Sequence, residues 1–413
     1  MKTSFITILR NREFSKLWLA QLISVLVANM LNFILIGKVF EVTGSSIAIG
    51  FLWSFYVLPT VILGPFSGVI LDYLDKKKIL FYSSFVQAFV VLLYLGVEEK
   101  VWFFYSIILL YSFCDEFFMP ALAVLLPSVV KKKELPIANS LFLFTTSGSI
   151  VIGFLFGGLL LKLVGYSEVL YMVASVLLFA SALLVGFLNW KEPKQKKKLE
   201  VSLAGFYKEL SQGYRFIKNE PRVLFPMILL AGLQVLLGMG LILLPSLSRE
   251  ILSIEFADSS YFVVVPGVLG LMFGGVMVER FLRHRLKRYL IINGLGTLGL
   301  AVLFIGLFLP LVWFKLFVGA LVFFILGFAF MMMFIPLQLL IQENTPFNVR
   351  GRVFGTLNTL VTVAAALPVF ATATLVDAVG VKLVIVFTGL GLIALAFYAK
   401  GGKYGIIRAY HRS

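Results

Sequence analysis

Two stretches of this chain share one pattern: residues 68–78 read GVILDYLDKKK, and residues 275–288 read GVMVERFLRHRLKR. Each has a glycine, an acid four positions later and then a basic run, and each joins two apolar segments. An acid one helical turn after a glycine can lie under a helix end where two backbones approach closely, with the cations at the membrane surface. The pattern occurs twice, about half a chain apart, and therefore predicts a duplicated membrane architecture.

The composition indicates that the protein folds in a lipid bilayer and not in water. Hydrophobic residues make up 60% of the 413 residues and charged residues only 14%, against about 25% charged in soluble domains. We therefore expect an integral membrane protein. A single cysteine, Cys114, cannot form an internal disulfide, and two histidines, His284 and His411, are too few for a metal site. We expect no metal and no cofactor, and we find no Ser/His, paired-His or metal pattern that would indicate an intramembrane enzyme.

Apolar segments of about 20 residues match the hydrocarbon thickness of a bilayer. The chain contains twelve of them, six on each side of a long polar interval. This pattern predicts an all-α polytopic membrane protein whose twelve transmembrane helices form two pseudo-symmetric six-helix bundles. The predicted spans are residues 16–40, 47–71, 79–97, 101–126, 137–162, 169–189, 223–247, 259–279, 289–309, 313–341, 353–376 and 381–399.

The polar interval sets the predicted domain boundaries. Residues 1–189 are expected to form the N-terminal bundle, residues 190–222 a cytoplasmic linker, and residues 223–413 the C-terminal bundle. Within the linker, a lysine-rich stretch precedes apolar residues at helical spacing, which is typical of an amphipathic helix on the inner leaflet. Those apolar residues are Phe206, Leu210, Tyr214 and Ile217.

The net charge of +16 would favour a nucleic-acid partner in a soluble protein. Here its distribution favours a membrane instead. If the N-terminus is cytoplasmic, all but six of the 36 Lys and Arg residues fall in cytoplasmic segments. This bias follows the positive-inside rule. It predicts a multi-pass protein of the cell (inner) membrane with both termini in the cytoplasm, and no nucleic-acid partner.

A second internal repeat supports the duplication. Residues 159–165 read LLLKLVG and residues 374–380 read TLVDAVG, at an offset of 215 positions. One leucine and the final Val-Gly pair are shared. Taken with the first pattern, the repeat predicts two similar halves, an arrangement typical of secondary transporters with a site at the repeat interface near mid-membrane.

Two adjacent acids, Asp115 and Glu116, lie inside the fourth predicted span. An ionised acid at the bilayer centre costs about 2.5 to 3.5 kcal/mol, so we expect both to face protein rather than lipid. A closely coupled acid pair resists double ionisation, and one member should hold a proton near neutral pH. The pair is therefore a candidate carrier of protons, or of Na⁺ or K⁺ in their place. Two alternatives stay open: direct contact with a cationic substrate or metal ion, and a structural hydrogen bond to a neighbouring helix.

Six amide side chains within the spans are candidates for lining a central substrate cavity. Each has an equally ordinary alternative, an interhelical hydrogen bond that only stabilises packing. The six residues are Asn29, Asn32, Gln87, Gln234, Gln338 and Asn358.

Three segments carry a resemblance to a known family. The first inner loop contains Gly68, Asp72, Lys76 and Lys77, and residues 342–354 read QENTPFNVRGRVF. Around the second inner loop stand Pro120, Ala121, Leu126, Pro127, Leu135, Ala138, Asn139 and Ser140. On these residues the chain resembles the major facilitator superfamily, and within it the macrolide-efflux and enterobactin-exporter branch of twelve-helix drug exporters.

The resemblance implies transport, directed outward, and a conformational latch at the inner loops. Charge contacts between helix ends would hold one access state and break in the other, whereas the alternative is that the two acids only cap helices. The first loop has Tyr73 and Asp75 where the family has a cation and a glycine, which predicts an asymmetric latch. The predicted latch residues are Gly68, Asp72, Lys76, Lys77, Gly275, Glu279, Arg280, Arg350 and Arg352.

These observations predict a transporter rather than an enzyme. We expect secondary active export of amphipathic small molecules, multidrug or macrolide-like, by proton-coupled alternating access. The expected partners are an amphipathic substrate, protons and the lipid bilayer, with the chain acting as a monomer. Two other functions stay open. One is a lipid or lysophospholipid transporter of the same fold, which would show lateral openings and no preference for cationic substrates. The other is a membrane sensor or scaffold without transport.

Overall fold

The computed structural model describes residues 8–96, 100–131, 134–190, 214–284, 287–346, 353, 357 and 370–401, and these are helical almost throughout. The helices are α1 Arg12–Thr43, α2 Ser46–Tyr73, α3 Lys76–Leu92, α4 Val101–Asp115, α5 Phe118–Val129, α6 Leu135–Val164, α7 Glu168–Gly186, α8 Pro221–Ser246, α9 Val265–His284, α10 Lys287–Leu307, α11 Lys315–Asn344, α12 Phe370–Val379 and α13 Val381–Gly401.

The described part of the chain contains eleven helical segments long and apolar enough to cross a membrane. The predicted span at 353–376 is described only at residues 353 and 357 and from residue 370, where the short apolar helix α12 begins. The predicted amphipathic linker helix lies mostly outside the described residues, although residues 214–219 are helical. The all-helical membrane fold is confirmed, with eleven candidate spans among the described residues, and the count of twelve stays a prediction.

Local sequence explains where α1 and α3 begin and where α1 ends. The Asn11 side chain accepts hydrogen bonds from the backbone N–H groups of Glu13 and Phe14, at 3.1 and 3.3 Å. The Asp75 side chain accepts one from the N–H of Lys78 at 3.1 Å. Each thus satisfies N–H groups that have no partner within the first turn of the helix. Gly44, with φ of 64°, ends α1 in the left-handed conformation that glycine adopts without strain.

The chain divides into two compact units by its contacts. The first comprises residues 1–44 and 51–201, and the second comprises residues 45–50 and 202–413. In the first unit α1 packs against α6 and α7, and α3 packs against α7. In the second unit α11 packs against α9 and α10, and α13 packs against α10.

The α1–α6 contact shows what holds such helices together in a membrane. A Cβ atom at Gly153 of α6 would lie 2.7 Å from the Cβ of Asn29 and 2.9 Å from the carbonyl oxygen of Leu26. The absence of a side chain therefore allows the two backbones to approach closely. Nearby, Trp18 Nε1 donates a hydrogen bond to Thr145 Oγ1 at 2.8 Å. Small residues and interhelical hydrogen bonds are the usual packing elements where lipid removes the hydrophobic driving force.

The second sequence repeat, at residues 159–165 and 374–380, forms the same kind of helix end in both places. Gly165 ends α6 with φ of 61°, and Gly380 ends α12 with φ of 86°. In each case the glycine N–H donates to the carbonyl four residues earlier, Leu161 or Val376, at 2.8 Å. The shared Val-Gly pair thus terminates a helix in the same way in both units.

The fourth predicted span is not one continuous helix. α4 ends at Asp115 and α5 begins at Phe118, while Glu116 and Phe117 between them keep right-handed helical dihedral angles. The break is therefore an interruption of the helical hydrogen bonding and not a change in the direction of the backbone. Pro120 explains the break, because it has no N–H to donate to the carbonyl of Glu116 four residues earlier. The span predicted over residues 101–126 is confirmed as one apolar segment, Val101–Val129, and the two acids lie where its helical hydrogen bonding is interrupted.

Candidate proton and substrate site

The candidate site of the first unit centres on Asp115, the last residue of α4. Gln87 of α3 donates a hydrogen bond from Nε2 to Asp115 Oδ1 at 3.3 Å. The same Nε2 lies 3.4 Å from the carbonyl oxygen of Tyr111, one turn earlier in α4. One amide nitrogen therefore links α3 to both the carboxylate and the backbone of α4.

Gln87 is fully buried, and its side chain retains unused hydrogen-bonding capacity. Among the described residues, neither Gln87 Oε1 nor the hydroxyl of Tyr111 has a hydrogen-bond partner. Buried polar atoms of this kind are costly in a packed interior and call for an explanation. Here they leave an acceptor and a hydroxyl available beside Asp115.

Glu116 has a different environment, on α2. Its carboxylate is hydrogen-bonded by the side chain of Thr60. A Cβ atom added at Gly64, one turn further along α2, would lie 3.3 Å from Glu116 Oε1. The carboxylate thus rests against the glycine surface of α2, with Thr60 as its donor. The two neighbouring acids are held by different helices, Asp115 by α3 and Glu116 by α2.

Two further hydrogen bonds connect this region to α1. The hydroxyl of Ser112 in α4 donates to the backbone carbonyl of Tyr56 in α2. The side chain of Tyr56 is in turn hydrogen-bonded to that of Asn32 in α1. The acid pair therefore lies where polar groups of α1, α2, α3 and α4 converge.

No lysine or arginine in the described ranges forms an ion pair with Asp115 or Glu116. Asp115 is partly buried, and its hydrogen-bond donor is a neutral amide. A cation at this position would hold the carboxylate ionised. A neutral partner leaves the acid able to take up and release a proton, or to attract a cation from a cavity.

The structure brings together only some of the predicted cavity amides. Asn32 and Gln87 belong to the network just described. Asn29 instead donates to the carbonyl of Val25 in its own helix, at 2.8 Å, and faces α6 at Gly153. Gln234 of α8 and Gln338 of α11 are partly buried in the second unit. Asn358 lies outside the described residues.

The predicted latch residues lie at the two inner loops and in the segment that follows α11. Arg350 and Arg352 lie outside the described residues, and Gly68, Asp72 and Glu279 are described only as helical backbone. Among the others, Lys76 is buried, and Lys77 Nζ donates to the carbonyl of Leu188 at 2.7 Å. Arg280 is exposed. The latch stays a prediction.

Two details of the second loop were not anticipated. A Cβ atom at Gly275 would meet nothing within 4 Å, whereas one at Gly274 would lie 3.0 Å from the carbonyl oxygen of Phe328. The close backbone approach to α11 is thus made by Gly274 and not by Gly275, the glycine of the repeated pattern. In addition, Lys287 at the start of α10 forms an ion pair with Glu343 near the end of α11. This pair connects the second basic loop to the segment at residues 342–354.

Sequence reasoning missed four residues of the site: Tyr56, Thr60, Tyr111 and Ser112. Hydroxyl side chains occur throughout the spans, and nothing in their spacing identifies these four. The break itself had a readable signal, since Pro120 stands four residues after Glu116. The position of Pro120 therefore predicts an interruption of the helical hydrogen bonding at Asp115 and Glu116.

Comparisons with known proteins agree with this architecture. The uncharacterized MFS-type transporter YfiS of Bacillus subtilis (strain 168) is 27% identical over 370 residues, covering 88% of this chain and 86% of that protein. Macrolide efflux protein A of Streptococcus pyogenes is 22% identical over 396 residues, covering 93% and 94%. A mutant form of the nucleoside transporter NupG has the same fold, with a TM-score of 0.78 at 13% identity, covering 93% of this chain and 98% of that structure. The sequence model of the Major Facilitator Superfamily matches residues 17–368, and the chain therefore belongs to this family of transporters.

Proposed function

We propose that this protein is a secondary active exporter of amphipathic small molecules and that Asp115 carries the coupling proton. It would lie in the cell (inner) membrane with both termini in the cytoplasm. The observation that carries the proposal is the hydrogen bond from the neutral amide of Gln87 to Asp115, at 3.3 Å, with no described cation paired to the acid.

An amide is a suitable partner for an acid that changes its protonation state. When Asp115 is ionised, Gln87 Nε2 donates to it. When Asp115 is protonated, its O–H requires an acceptor, and the unpartnered Gln87 Oε1 supplies one after rotation of the amide. Both states are therefore stabilised by the same residue, whereas a lysine or arginine would stabilise only the ionised one.

The helix break at Glu116 supports a transport role for the same position. Interrupted helices in transporters expose backbone groups at membrane depth where they line a cavity. The carbonyl of Glu116 cannot receive the usual helical hydrogen bond, since Pro120 has no N–H. Asp115 thus lies beside a backbone carbonyl that lacks its usual helical partner.

Proton antiport would provide enough energy for export. An inward proton gains about 2.3 kcal/mol per 100 mV of membrane potential. This energy drives one uphill export step when the proton and the substrate bind Asp115 in mutually exclusive states. The name of Macrolide efflux protein A, at 22% identity over 93% of this chain, supports outward transport of amphipathic compounds.

The proposal is tested with inside-out membrane vesicles and the cationic dye ethidium. An acidic lumen should drive ethidium uptake by the wild type, and Asp115→Asn should remove the response to the gradient. Glu168→Gln provides the matched control, because this exposed acid lies in the first turn of α7, outside the site. Ethidium uptake that does not depend on the pH gradient would refute the assignment of Asp115 as proton carrier. So would uptake that is unchanged in Asp115→Asn.

The inner-loop latch is a separate part of the proposal. In it Asp72 and Glu279 hold one access state through charge contacts with Lys76, Lys77, Arg280, Arg350 and Arg352. The test is Asp72→Asn, with the ratio of inward-open to outward-open states followed by spin-label distances across the inner side. An unchanged ratio together with unchanged transport would leave Asp72 as a helix cap.

A further inference from the structure

A groove on the surface of the first unit lies outside the site described above. It runs between α3 and α4, has a volume of about 490 Å³, and begins at the end of the first basic loop. Lys78 lies at its mouth, and Tyr82, Val86 and Phe113 line it further along. From Lys78 to Val86 is eight residues of helix, a length of about 12 Å.

The lining of this groove suits hydrocarbon rather than water. The side chains of Tyr82, Val86 and Phe113 are 58, 41 and 40% exposed. They belong to two helical segments long and apolar enough to cross a membrane. Exposed apolar side chains on such segments are suited to contact with lipid. An apolar groove of this length accommodates part of an acyl chain.

The charge at the mouth indicates which lipid would bind. α3 begins with Lys76, Lys77 and Lys78 and has no acid in its first turn. Asp75 also lines the mouth, but its carboxylate accepts the backbone N–H of Lys78 as the cap of α3. Lys77 donates to the carbonyl of Leu188, whereas Lys78 is exposed beside the groove. Lysines at the membrane surface attract anionic headgroups.

We propose that the groove binds an anionic phospholipid, with its phosphate at Lys78 and an acyl chain lying along Tyr82, Val86 and Phe113. The second unit has a groove of the same type, with a volume of about 310 Å³, between α10 and α13. Its lining includes the exposed residues Leu300 and Phe397, with Lys400 at one end.

The only cysteine of the chain makes the proposal testable. Cys114 lines the first groove and is partly exposed there, so a thiol reagent reports on this groove alone. The full-length protein is placed in nanodiscs of phosphatidylcholine, with or without phosphatidylglycerol. Alkylation of Cys114 by N-ethylmaleimide is then followed by intact mass. A lipid held in the groove will protect the thiol.

Phosphatidylglycerol should slow alkylation about fivefold, the ratio that corresponds to ~1 kcal/mol for one lysine at the surface. Lys78→Gln should remove this protection and Lys78→Arg should retain it. Lys400→Gln, in the other groove, should leave it unchanged. Because all variants are measured in the same discs, partitioning of the reagent into lipid cancels.

Equal alkylation rates in both lipid mixtures would overturn the proposal, and so would full protection in Lys78→Gln. Soluble glycerol phosphate, added to the phosphatidylcholine discs, must not slow alkylation, since protection by phosphate alone would remove the role of the acyl chain. Native mass spectrometry provides a second measurement. The wild type should retain phosphatidylglycerol over phosphatidylcholine, and Val86→Trp, which fills the groove, should reduce that retention.

Discussion

Asp377 Oδ1 accepts a hydrogen bond from the backbone N–H of Ser46 at 2.8 Å, across 331 positions of sequence. Its other oxygen accepts from the N–H of Ile47 at 3.1 Å and from the hydroxyl of Ser45 at 2.5 Å. A carboxylate near the end of α12 therefore caps the first turn of α2. It satisfies N–H groups that α2 cannot pair internally, and its negative charge complements the positive end of the helix dipole.

Removing this cap should destabilise the start of α2. Asp377→Ala is expected to cost about 1 kcal/mol, the typical value for loss of an N-cap. Asp377→Asn, which keeps an acceptor oxygen, should cost less. Hydrogen exchange over residues 45–50 measures the effect directly, because their amide protons should exchange faster in the alanine variant. Lys382→Ala, an exposed change at the start of α13, provides a control that should leave this segment unchanged.

The hydrogen bond between Gln87 and Asp115 should set the pH at which transport responds to protons. Gln87 can partner Asp115 in both protonation states, but its hydrogen bond to the ionised carboxylate is the stronger one. Gln87→Leu should therefore disfavour the ionised form more than the protonated form and move the midpoint of the pH profile to higher pH. A lost hydrogen bond of about 1.5 kcal/mol corresponds to a shift of about 1 pH unit. The pH dependence of ethidium uptake in inside-out vesicles measures this midpoint.

The control for this change is Gln21→Leu. Gln21 is also fully buried in the first unit and donates a hydrogen bond, to Thr146 Oγ1 at 2.9 Å, but it lies outside the acid network. The two variants should lose similar stability, and only Gln87→Leu should move the pH midpoint. Equal pH profiles for the two variants would assign Gln87 to packing alone.

The close approach of α1 and α6 predicts opposite outcomes at two glycines of one helix. At Gly153 a new Cβ meets the backbone of α1, so Gly153→Ala should force the helices apart and cost about 1 to 3 kcal/mol. At Gly148 a new Cβ meets nothing within 4 Å. Gly148→Ala should therefore be neutral or stabilise α6 by up to ~1 kcal/mol. Thermal unfolding in detergent distinguishes them, and equal melting temperatures would contradict the packing argument.

The sequence was most informative where a charged residue lies within an apolar membrane span. Asp115 and Glu116 could be identified because acids are rare within membrane spans, and the helices because apolar runs of span length are unmistakable. Partners on other helices could not be identified, since the roles of Thr60 and Tyr56 depend on which helices are neighbours. Asp377 is the extreme case: no local pattern links it to Ser46.

The break between α4 and α5 yields the last prediction, because a single residue explains it. Pro120→Ala supplies an N–H for the carbonyl of Glu116, so α4 and α5 should join into one helix. Stability should rise by about 1 kcal/mol, the value of one added hydrogen bond. Transport should fall, since the carbonyl of Glu116 would then be paired within the helix and no longer be available beside the two carboxylates.

Pro127→Ala is the matched control, as this second proline lies inside α5 and away from the acid pair. It should raise the melting temperature without loss of gradient-driven ethidium uptake. If Pro120→Ala were as active as the wild type, the discontinuity would not be required for transport. Asp115 would then act from an ordinary helical position, with Gln87 alone setting its protonation.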